Sequence, residues 1–190
     1  IQGTAGSGKT QLALKLLEDA AEKSLKSLYV CYNRSLADHI GHIAPTTVKV
    51  ANFHELCVES YRQRVNEPDF SEQGIYDRLA EYYCEAIETN VDLQSRYQLI
   101  VLDEGQDFKP AWVAALLPQL TEDGKIYLLE DDSQRLYQRE EFELSEGVTI
   151  TCQDNFRTPG AVCHVINALG LTDQPVVSRN FYHGELPNFY

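Results

Sequence analysis

Short apolar runs rich in β-branched residues alternate with stretches of helical periodicity along this chain. Such alternation is typical of a parallel sheet whose strands are joined by helices that cross over its faces. Helical spacing is clearest over residues 10–23, where leucines recur on one face. The predicted strands cover residues 27–32, 48–52, 97–102, 125–129 and 148–152. The other predicted helices cover residues 36–42, 54–64, 74–89, 111–120 and 159–169.

The regularity of this pattern changes in two places. Residues 62–96 are more polar and are interrupted by proline and glycine, which predicts a small helical insertion between two strands. From Leu171 onward the chain is rich in Asp, Gln, Pro and Asn. We therefore expect one α/β lobe over residues 1–158, followed by a linker or the truncated start of a second lobe over residues 159–190.

Composition and charge exclude several classes of protein. The 190 residues are 43% hydrophobic, which is enough for an ordinary buried core. The 16 basic and 29 acidic residues give a net charge of −13, which argues against binding nucleic acid by bulk attraction but leaves room for a local cationic groove. No apolar run reaches the roughly 20 residues that span a bilayer, so no membrane partner is expected. The five cysteines are scattered and form no CxxC pair, which favours reduced thiols in a cytoplasmic protein.

A phosphate-binding loop (P-loop) lies at the start of the chain. The GxxxxGK[ST] pattern is matched by Gly3, Thr4, Ala5, Gly6, Ser7, Gly8, Lys9 and Thr10. Glycines let the backbone N–H groups of such a loop turn toward phosphate oxygens, and the positive end of the following helix faces the same anion. Lys9 would reach the β- and γ-phosphates, and the Thr10 hydroxyl would bind Mg²⁺. The pattern predicts ATP and Mg²⁺ as cofactors.

Because the chain begins with Ile1 so close to this loop, we expect a piece of a longer protein.

A run of carboxylates follows the predicted strand at residues 97–102. Asp103 would stand at the carboxyl edge of the sheet, where a P-loop enzyme holds Mg²⁺ opposite Thr10. Glu104 would then be placed to orient or deprotonate the attacking water. The alternative interpretation is an acidic turn after a buried strand. The P-loop in the same chain favours the metal site.

Several short blocks resemble, in sequence and in order, the motifs of UvrD/Rep-like superfamily 1 helicases. Residues 103–107 (DEGQD) look like the DExQD signature of that family, and residues 155–158 (NFRT) are similar to its NYRS block. Three further blocks fall in the family's order: residues 29–34 (YVCYNR), 52–57 (NFHELC) and 130–137 (EDDSQRLY). The resemblance implies a P-loop NTPase with a RecA-like parallel sheet and helices on both faces. It also implies that the chain is the N-terminal ATPase lobe of a DNA helicase or translocase.

The resemblance assigns roles to individual residues. Lys9, Glu104, Gln134 and Arg157 would be catalytic: Gln134 would sense the γ-phosphate, and Arg157 would stabilise charge on the transferring phosphoryl group. Phe156 stands where the family has tyrosine and would stack on adenine. The residues that would line a track for single-stranded DNA are Tyr32, Asn33, His54 and Tyr137. Stacking on such a track is tolerant of base sequence.

The sequence departs from the family pattern in four respects. Glu130 stands where the family usually has glycine, and residues 138–141 (QREE) replace an aromatic that often follows Tyr137. The insertion at residues 62–96 is shorter than the subdomain that engages duplex DNA, and the motifs of the second RecA-like lobe do not occur. The resemblance therefore implies a second RecA-like lobe as partner, and we expect this lobe alone to bind nucleotide weakly and to hydrolyse it slowly.

The sequence also allows other interpretations. The chain could be a nucleotide-gated regulatory or binding module on the same ATPase core, which the net charge and Glu130 favour, or a P-loop kinase or transporter ATPase, which the DExQD block disfavours. Tyr32 and Phe156 could be core aromatics, and Gln134 could be a turn residue. Arg157 could pair with an acidic neighbour, and His54 could cap a helix.

Overall fold

A parallel sheet forms the centre of the computed structural model, which describes residues 1–89, 96–131, 147–172 and 175–185. Its four main strands are β2 (Ser27–Cys31), β3 (Lys49–Asn52), β4 (Tyr97–Leu102) and β5 (Leu120–Leu128). They are arranged in the order β3-β2-β4-β5, and every neighbouring pair is parallel. Parallel neighbours require crossover connections, and the intervening helices supply them.

Four short strands form two further parallel pairs. They are β1 (Gln2–Gly3), β6 (Thr151–Cys152), β7 (Asp154–Asn155) and β8 (Val177–Ser178). β1 pairs with β6 and β7 pairs with β8, both in parallel. Gln2 also bridges to Glu130, just beyond β5. β5 therefore lies between the strand that leads into the P-loop and β4, which leads into the acidic turn.

The helices begin at positions that their local sequence explains. They are α1 (Lys9–Glu22), α2 (Arg34–Ile43), α3 (Phe53–Arg64), α4 (Ile75–Thr89), α5 (Pro110–Leu116) and α6 (Gly160–Ala168). The side chain of Asn33 accepts a hydrogen bond from the backbone N–H of Leu36 and caps α2. Asn52 and Glu55 form a reciprocal capping box at the start of α3. α3 consequently follows β3 without an intervening loop.

Side chains of the central strands alternate between two buried faces of the sheet. Leu28 of β2 and Ile100 of β4 belong to the core that α3, α4 and α5 cover. Tyr29 and Val101 point to the opposite face, where α1 and α2 complete a second core. Both faces are covered, so these strands are continuously apolar rather than alternating with polar residues. The structure confirms the predicted α/β architecture with helices on both faces of a parallel sheet.

The structure corrects several predicted boundaries. β5 begins at Leu120 instead of residue 125, because its first residues pair with β4 across an irregular stretch of the ladder. β6 covers only Thr151–Cys152 of the predicted strand 148–152. α5 ends at Leu116, and a 3₁₀ turn, Leu117–Gln119, continues the chain around a proline. The short strands β1, β7 and β8 were not predicted from the pattern.

The predicted insertion and the tail both contain regular structure. α4 lies within residues 62–96, and its Leu79 and Ile87 are completely buried in the core beside α3 and α5. α6 and β8 lie within residues 159–190, and the amide of Asn167 exchanges two hydrogen bonds with the backbone of Val176. The division into a lobe and a following linker stays a prediction. None of the helices that the structure describes is long and apolar enough to cross a membrane.

Candidate active site

The P-loop connects β1 to α1, and its backbone requires glycine at two positions. Gly6 and Gly8 have φ angles of 87° and 88°, a conformation that other residues rarely adopt. The hydroxyl oxygens of Thr4 and Ser7 are buried and have no hydrogen-bond partner among the described residues. Buried polar atoms of this kind are normally satisfied by protein, water or ligand. The loop therefore fits an anion that would accept hydrogen bonds from these hydroxyls.

Lys9 is held inside this loop. Its ammonium donates hydrogen bonds to the backbone carbonyls of Gly3 at 2.6 Å and Thr4 at 3.2 Å. The carboxylate of Asp131 lies 3.8 Å from the same ammonium, and the two side chains are only 9% and 1% exposed. The positive charge is thus enclosed at the place where the loop would receive phosphate oxygens.

The P-loop and the acidic strand end meet through Thr10 and Asp103. The Thr10 hydroxyl donates a hydrogen bond to Oδ2 of Asp103 at 3.2 Å, and the Tyr29 hydroxyl donates to the same oxygen at 2.9 Å. Burial raises the pKa of the Asp103 carboxyl, while the hydrogen bond from Tyr29 acts in the opposite direction. A hydroxyl and a carboxylate that converge in this way match the few protein ligands that Mg²⁺ takes when it also binds substrate phosphates. These residues fit the predicted cation, and their role as its ligands stays a prediction.

The described residues of this site do not form a larger protein-built metal cage. Within the described ranges, no three His, Cys, Asp or Glu side chains come together as a metal site. The pair formed by Thr10 and Asp103 would therefore depend on phosphate oxygens and water to complete a coordination shell.

Glu104 leaves β4 in a left-handed backbone conformation, with φ 53° and ψ 47°. This conformation is uncommon for a residue with a side chain and often marks a functional position. The next residue is Gly105, where an added Cβ would lie 2.5 Å from Cδ1 of Leu128. A side chain at this position would require the Leu128 side chain to move, so glycine lets the acidic turn pass close to the end of β5. The turn therefore holds Glu104 beside Asp103 and above the neighbouring strand.

The loop after β7 is fastened to the P-loop by Asn155, which is 3% exposed. Its Nδ2 donates to the carbonyl of Ala5 at 2.7 Å, and its Oδ1 accepts from the N–H groups of Arg157 and Thr158 at 3.0 and 2.7 Å. The N–H of Phe156 donates to the carbonyl of Gly6 at 2.9 Å. These bonds bring the predicted Phe156 and Arg157 to the P-loop.

Phe156 and Arg157 remain available for a ligand. Phe156 is 57% exposed, so it is not a core aromatic. Arg157 is exposed as well, and no carboxylate in the described part of the chain pairs with it. The alternative interpretation of Phe156 as a core aromatic is therefore wrong. The alternative for Arg157 finds no acidic partner among the described residues, and the catalytic and adenine-binding roles of the two residues stay predictions.

A concave surface, which we call the aromatic groove, opens beside the acidic turn, since Asp107 is among its lining residues. Its volume is about 1300 Å³, and its aromatic lining consists of Tyr32, His54, Phe70, Tyr76 and Trp112. The ring of Tyr32 is stacked on Trp112 with centroids 6.2 Å apart, and His54 meets Tyr32 and Tyr76 edge-on at 5.6 and 5.4 Å. Tyr32 is 43% exposed and is not a core residue. Asn33 also lines the groove, but its side-chain oxygen is occupied by the cap of α2.

The cations of the aromatic groove are paired with carboxylates. Lys109 lies 2.9 Å from Asp77 and 5.0 Å from the centroid of the Trp112 ring. The other pairs are Lys49 with Glu59, Arg62 with Glu67, and Arg34 with Glu55. Burial lowers the pKa of His54, which favours its neutral form. The groove therefore presents aromatic faces and neutralised charges rather than a strongly cationic surface.

Two predicted site residues cannot be placed, and three residues of the site were not predicted. Gln134 and Tyr137 lie outside the described residues. Tyr29, Asn155 and Trp112 were not predicted as site residues, although Asn155 stands beside two that were. The signal for Asn155 was its place in the NFRT block, whereas the contacts of Tyr29 and Trp112 depend on the tertiary structure.

Two comparisons with known proteins bear on this site. A family model described as AAA domain matches residues 1–140, which include the P-loop, the acidic turn and the four central strands. The model indicates a P-loop NTPase-like domain of a kind found in UvrD/Rep-like helicases. No curated protein matches the chain significantly.

Proposed function

The chain belongs to the AAA domain family, and on this premise we propose that it is the ATP-hydrolysing motor lobe of a UvrD/Rep-like helicase or single-stranded DNA translocase. Membership makes the chain a nucleotide-binding ATPase module. The helicase or translocase function is the finer part of the proposal. In this proposal, a second RecA-like lobe is the partner and packs against the face that carries Phe156 and Arg157.

Each residue of the nucleotide site has a task in this proposal. Lys9 and the P-loop hold the β- and γ-phosphates, and Thr10 and Asp103 hold Mg²⁺, which neutralises charge on the phosphate oxygens. Glu104 orients the attacking water and accepts its proton. Arg157 stabilises charge on the transferring phosphoryl group, and Gln134 senses the γ-phosphate, as the family resemblance implies. Phe156 offers its exposed ring to adenine.

One observation carries the proposal. The Thr10 hydroxyl and the Asp103 carboxylate, 93 positions apart in the chain, are 3.2 Å apart at the carboxyl edge of the sheet. Open α/β sheets bind their ligands at this edge. Glu104 follows Asp103 directly, so the residue proposed as general base is adjacent in the chain to the proposed metal ligand that contacts the P-loop helix.

A pair of variants tests the ATPase part. Glu104→Gln keeps the size of the side chain and removes the base, so we expect ATP binding to persist and single-turnover hydrolysis to fall by at least about a hundredfold. Lys9→Ala removes the enclosed cation and should weaken binding itself. Loss of ATP binding in the Glu104→Gln variant would remove Glu104 from the role of base.

The aromatic groove supports the nucleic-acid part of the proposal. Stacking of bases on exposed rings is worth about 1–3 kcal/mol per base and does not depend on base sequence. We expect Tyr32→Ala and His54→Ala to weaken the binding of a labelled oligothymidylate about tenfold or more. Phe181→Ala is the matched control, because Phe181 is fully exposed and does not line the groove. Equal losses in all three variants would argue against stacking in the groove.

The paired cations of the groove favour a second candidate function, a nucleotide-gated regulatory module that does not unwind DNA. Cations that already contact carboxylates release few counterions when they meet phosphates, which weakens attraction to nucleic acid. Titration with single-stranded DNA, with and without a non-hydrolysable ATP analogue, separates the two functions. DNA affinity that changes with nucleotide supports the motor lobe, and tight nucleotide binding without a DNA response supports the regulatory module.

A further inference from the structure

The amide side chain of Gln106 connects two parts of the nucleotide site. Its Nε2 donates a hydrogen bond to Oε2 of Glu104 at 2.6 Å. Its Oε1 accepts a hydrogen bond from the backbone N–H of Asp131 at 3.0 Å. Gln106 lies in the 3₁₀ turn Gly105–Asp107, and Asp131 follows the end of β5. One side chain therefore joins the acidic turn to the loop after the neighbouring strand.

The chemistry of the two partners fixes the orientation of this amide. A backbone N–H can only donate, and an ionised carboxylate can only accept. The carboxamide therefore satisfies both partners in one of its two orientations and neither in the other. Hydrogen bonds to a charged acceptor are also stronger than those between neutral groups. Gln106 thus occupies one oxygen of Glu104 and restricts the direction in which the other can point.

Asp131 extends the connection to the P-loop. It is 1% exposed, and its carboxylate lies 3.8 Å from the ammonium of Lys9, while its N–H is bound by Gln106. Lys9, Asp131, Gln106 and Glu104 therefore form a continuous series of polar contacts. The series runs from the group that would bind the γ-phosphate to the group that would activate water.

We propose that Gln106 is a positioning residue that holds the Glu104 carboxylate in register for hydrolysis and links it to the loop after β5. A displacement of the Asp131 peptide removes the partner of Oε1 and leaves the amide held by Glu104 alone, so hydrolysis depends on the position of that peptide. This inference rests on the proposed role of Glu104 as general base.

Two variants of Gln106 separate its contacts. Gln106→Leu removes both hydrogen bonds at nearly constant volume. Gln106→Glu keeps an acceptor for the Asp131 N–H but places a carboxylate against Glu104. We expect both to lower kcat about tenfold to a hundredfold, because bonds to charged groups are lost, with KM and the affinity for a non-hydrolysable ATP analogue unchanged. The matched control is Gln98→Leu, since the exposed Gln98 also accepts a hydrogen bond from a backbone N–H, that of Lys26, at 2.7 Å.

Amide hydrogen exchange measured by NMR tests the same contacts without any turnover. Gln106→Leu should speed the exchange of the Asp131 N–H about tenfold, and Glu104→Ala should speed it too, because Gln106 then loses its anchor. Gln98→Leu should speed exchange at Lys26 and leave Asp131 unchanged. Asp131 exchange that is the same in wild type, Gln106→Leu and Glu104→Ala overturns the inference.

The kinetic results distinguish this inference from the proposed function. Hydrolysis that survives Glu104→Gln refutes the proposed role of Glu104 itself. If Glu104→Gln abolishes hydrolysis but Gln106→Leu leaves kcat unchanged, the proposed function stands and the inference is wrong. A fall in analogue affinity equal to the fall in kcat is also against the inference, since it indicates general damage to the site.

Discussion

Replacement of Asn155 by alanine removes the side chain that fastens the loop after β7 to the P-loop. The alanine variant loses three hydrogen bonds, one to the carbonyl of Ala5 and two from the N–H groups of Arg157 and Thr158. Asn155→Asp is a narrower change: the carboxylate still accepts both N–H groups but can no longer donate to Ala5. Comparison of the two variants distinguishes the hydrogen bonds that order the loop after β7 from the one hydrogen bond that connects Asn155 to the P-loop.

The expected magnitudes follow from these contacts. At about 1 kcal/mol for each hydrogen bond, Asn155→Ala should lower the free energy of unfolding by about 3 kcal/mol. Asn155→Asp should lower it by about 1 kcal/mol for the lost bond and by about 1–3 kcal/mol more, because a buried carboxylate oxygen then faces the carbonyl of Ala5. A domain stable by about 5–15 kcal/mol remains folded after either change. The freed P-loop must be ordered again when nucleotide binds, and fixing one residue costs about 1–2 kcal/mol. We therefore expect both variants to bind an ATP analogue about tenfold more weakly.

The assay combines urea unfolding with titration of the ATP analogue. Asn167→Ala is the control, because Asn167 also makes paired hydrogen bonds to backbone, at 2.9 and 2.8 Å from Val176. It should lower stability by about 2 kcal/mol and leave nucleotide affinity unchanged. If Asn155→Ala and Asn155→Asp bind the analogue as tightly as wild type, or if Asn167→Ala weakens binding equally, the connection to the P-loop does not have the effect we assign to it.

Two further predictions concern the aromatic groove. Asp77→Asn frees Lys109 and should tighten the binding of single-stranded DNA by up to about fivefold. The slope of the logarithm of the DNA-binding constant against the logarithm of the salt concentration should become steeper by about 0.7. The control variant, Glu72→Gln, frees Arg78 outside the groove and should change neither the affinity nor the slope. Burial lowers the pKa of His54 in the folded protein below its ordinary value of 6.5. As the pH falls below 6.5, the imidazole is therefore protonated more readily in the unfolded chain than in the folded protein. We expect the free energy of unfolding to decrease over this range. Urea unfolding between about pH 5 and pH 8 measures this slope, and a slope that persists unchanged in His54→Gln would assign it to another group.

The central strands were predictable because burial on both faces makes them continuous apolar runs. β2 and β4 agree with their predicted ranges to within one residue. β5 was predicted to begin too late, because residues 121–124 (TEDG) are polar and carry no strand pattern. β1 covers only two residues, which is too short for any periodicity to appear. Its position depends on pairing with distant parts of the chain.

The candidate site was predictable where chemistry is encoded in adjacent residues. The P-loop and the Asp103–Glu104 pair are contiguous motifs, and the resemblance added Phe156 and Arg157. Contacts that depend on folding were not accessible in this way. Tyr29 is one apolar residue among others in a buried strand until the fold places its hydroxyl against Asp103. Trp112 is one residue of the wholly apolar helix α5, and only the tertiary structure stacks it on Tyr32.

The capping box at the start of α3 has a mechanical consequence for ligands of the aromatic groove. Two hydrogen bonds between Asn52 and Glu55 hold the first turn of α3 at the end of β3, so the backbone that carries His54 is attached directly to the sheet. Phe70 lies instead in the irregular stretch between α3 and α4, and it is 46% exposed. One side of the groove is thus attached to the sheet, whereas the other side belongs to an irregular segment. Differences in ligand thickness have to be taken up on the Phe70 side, and tethering that side to α3 would set the width for every ligand alike.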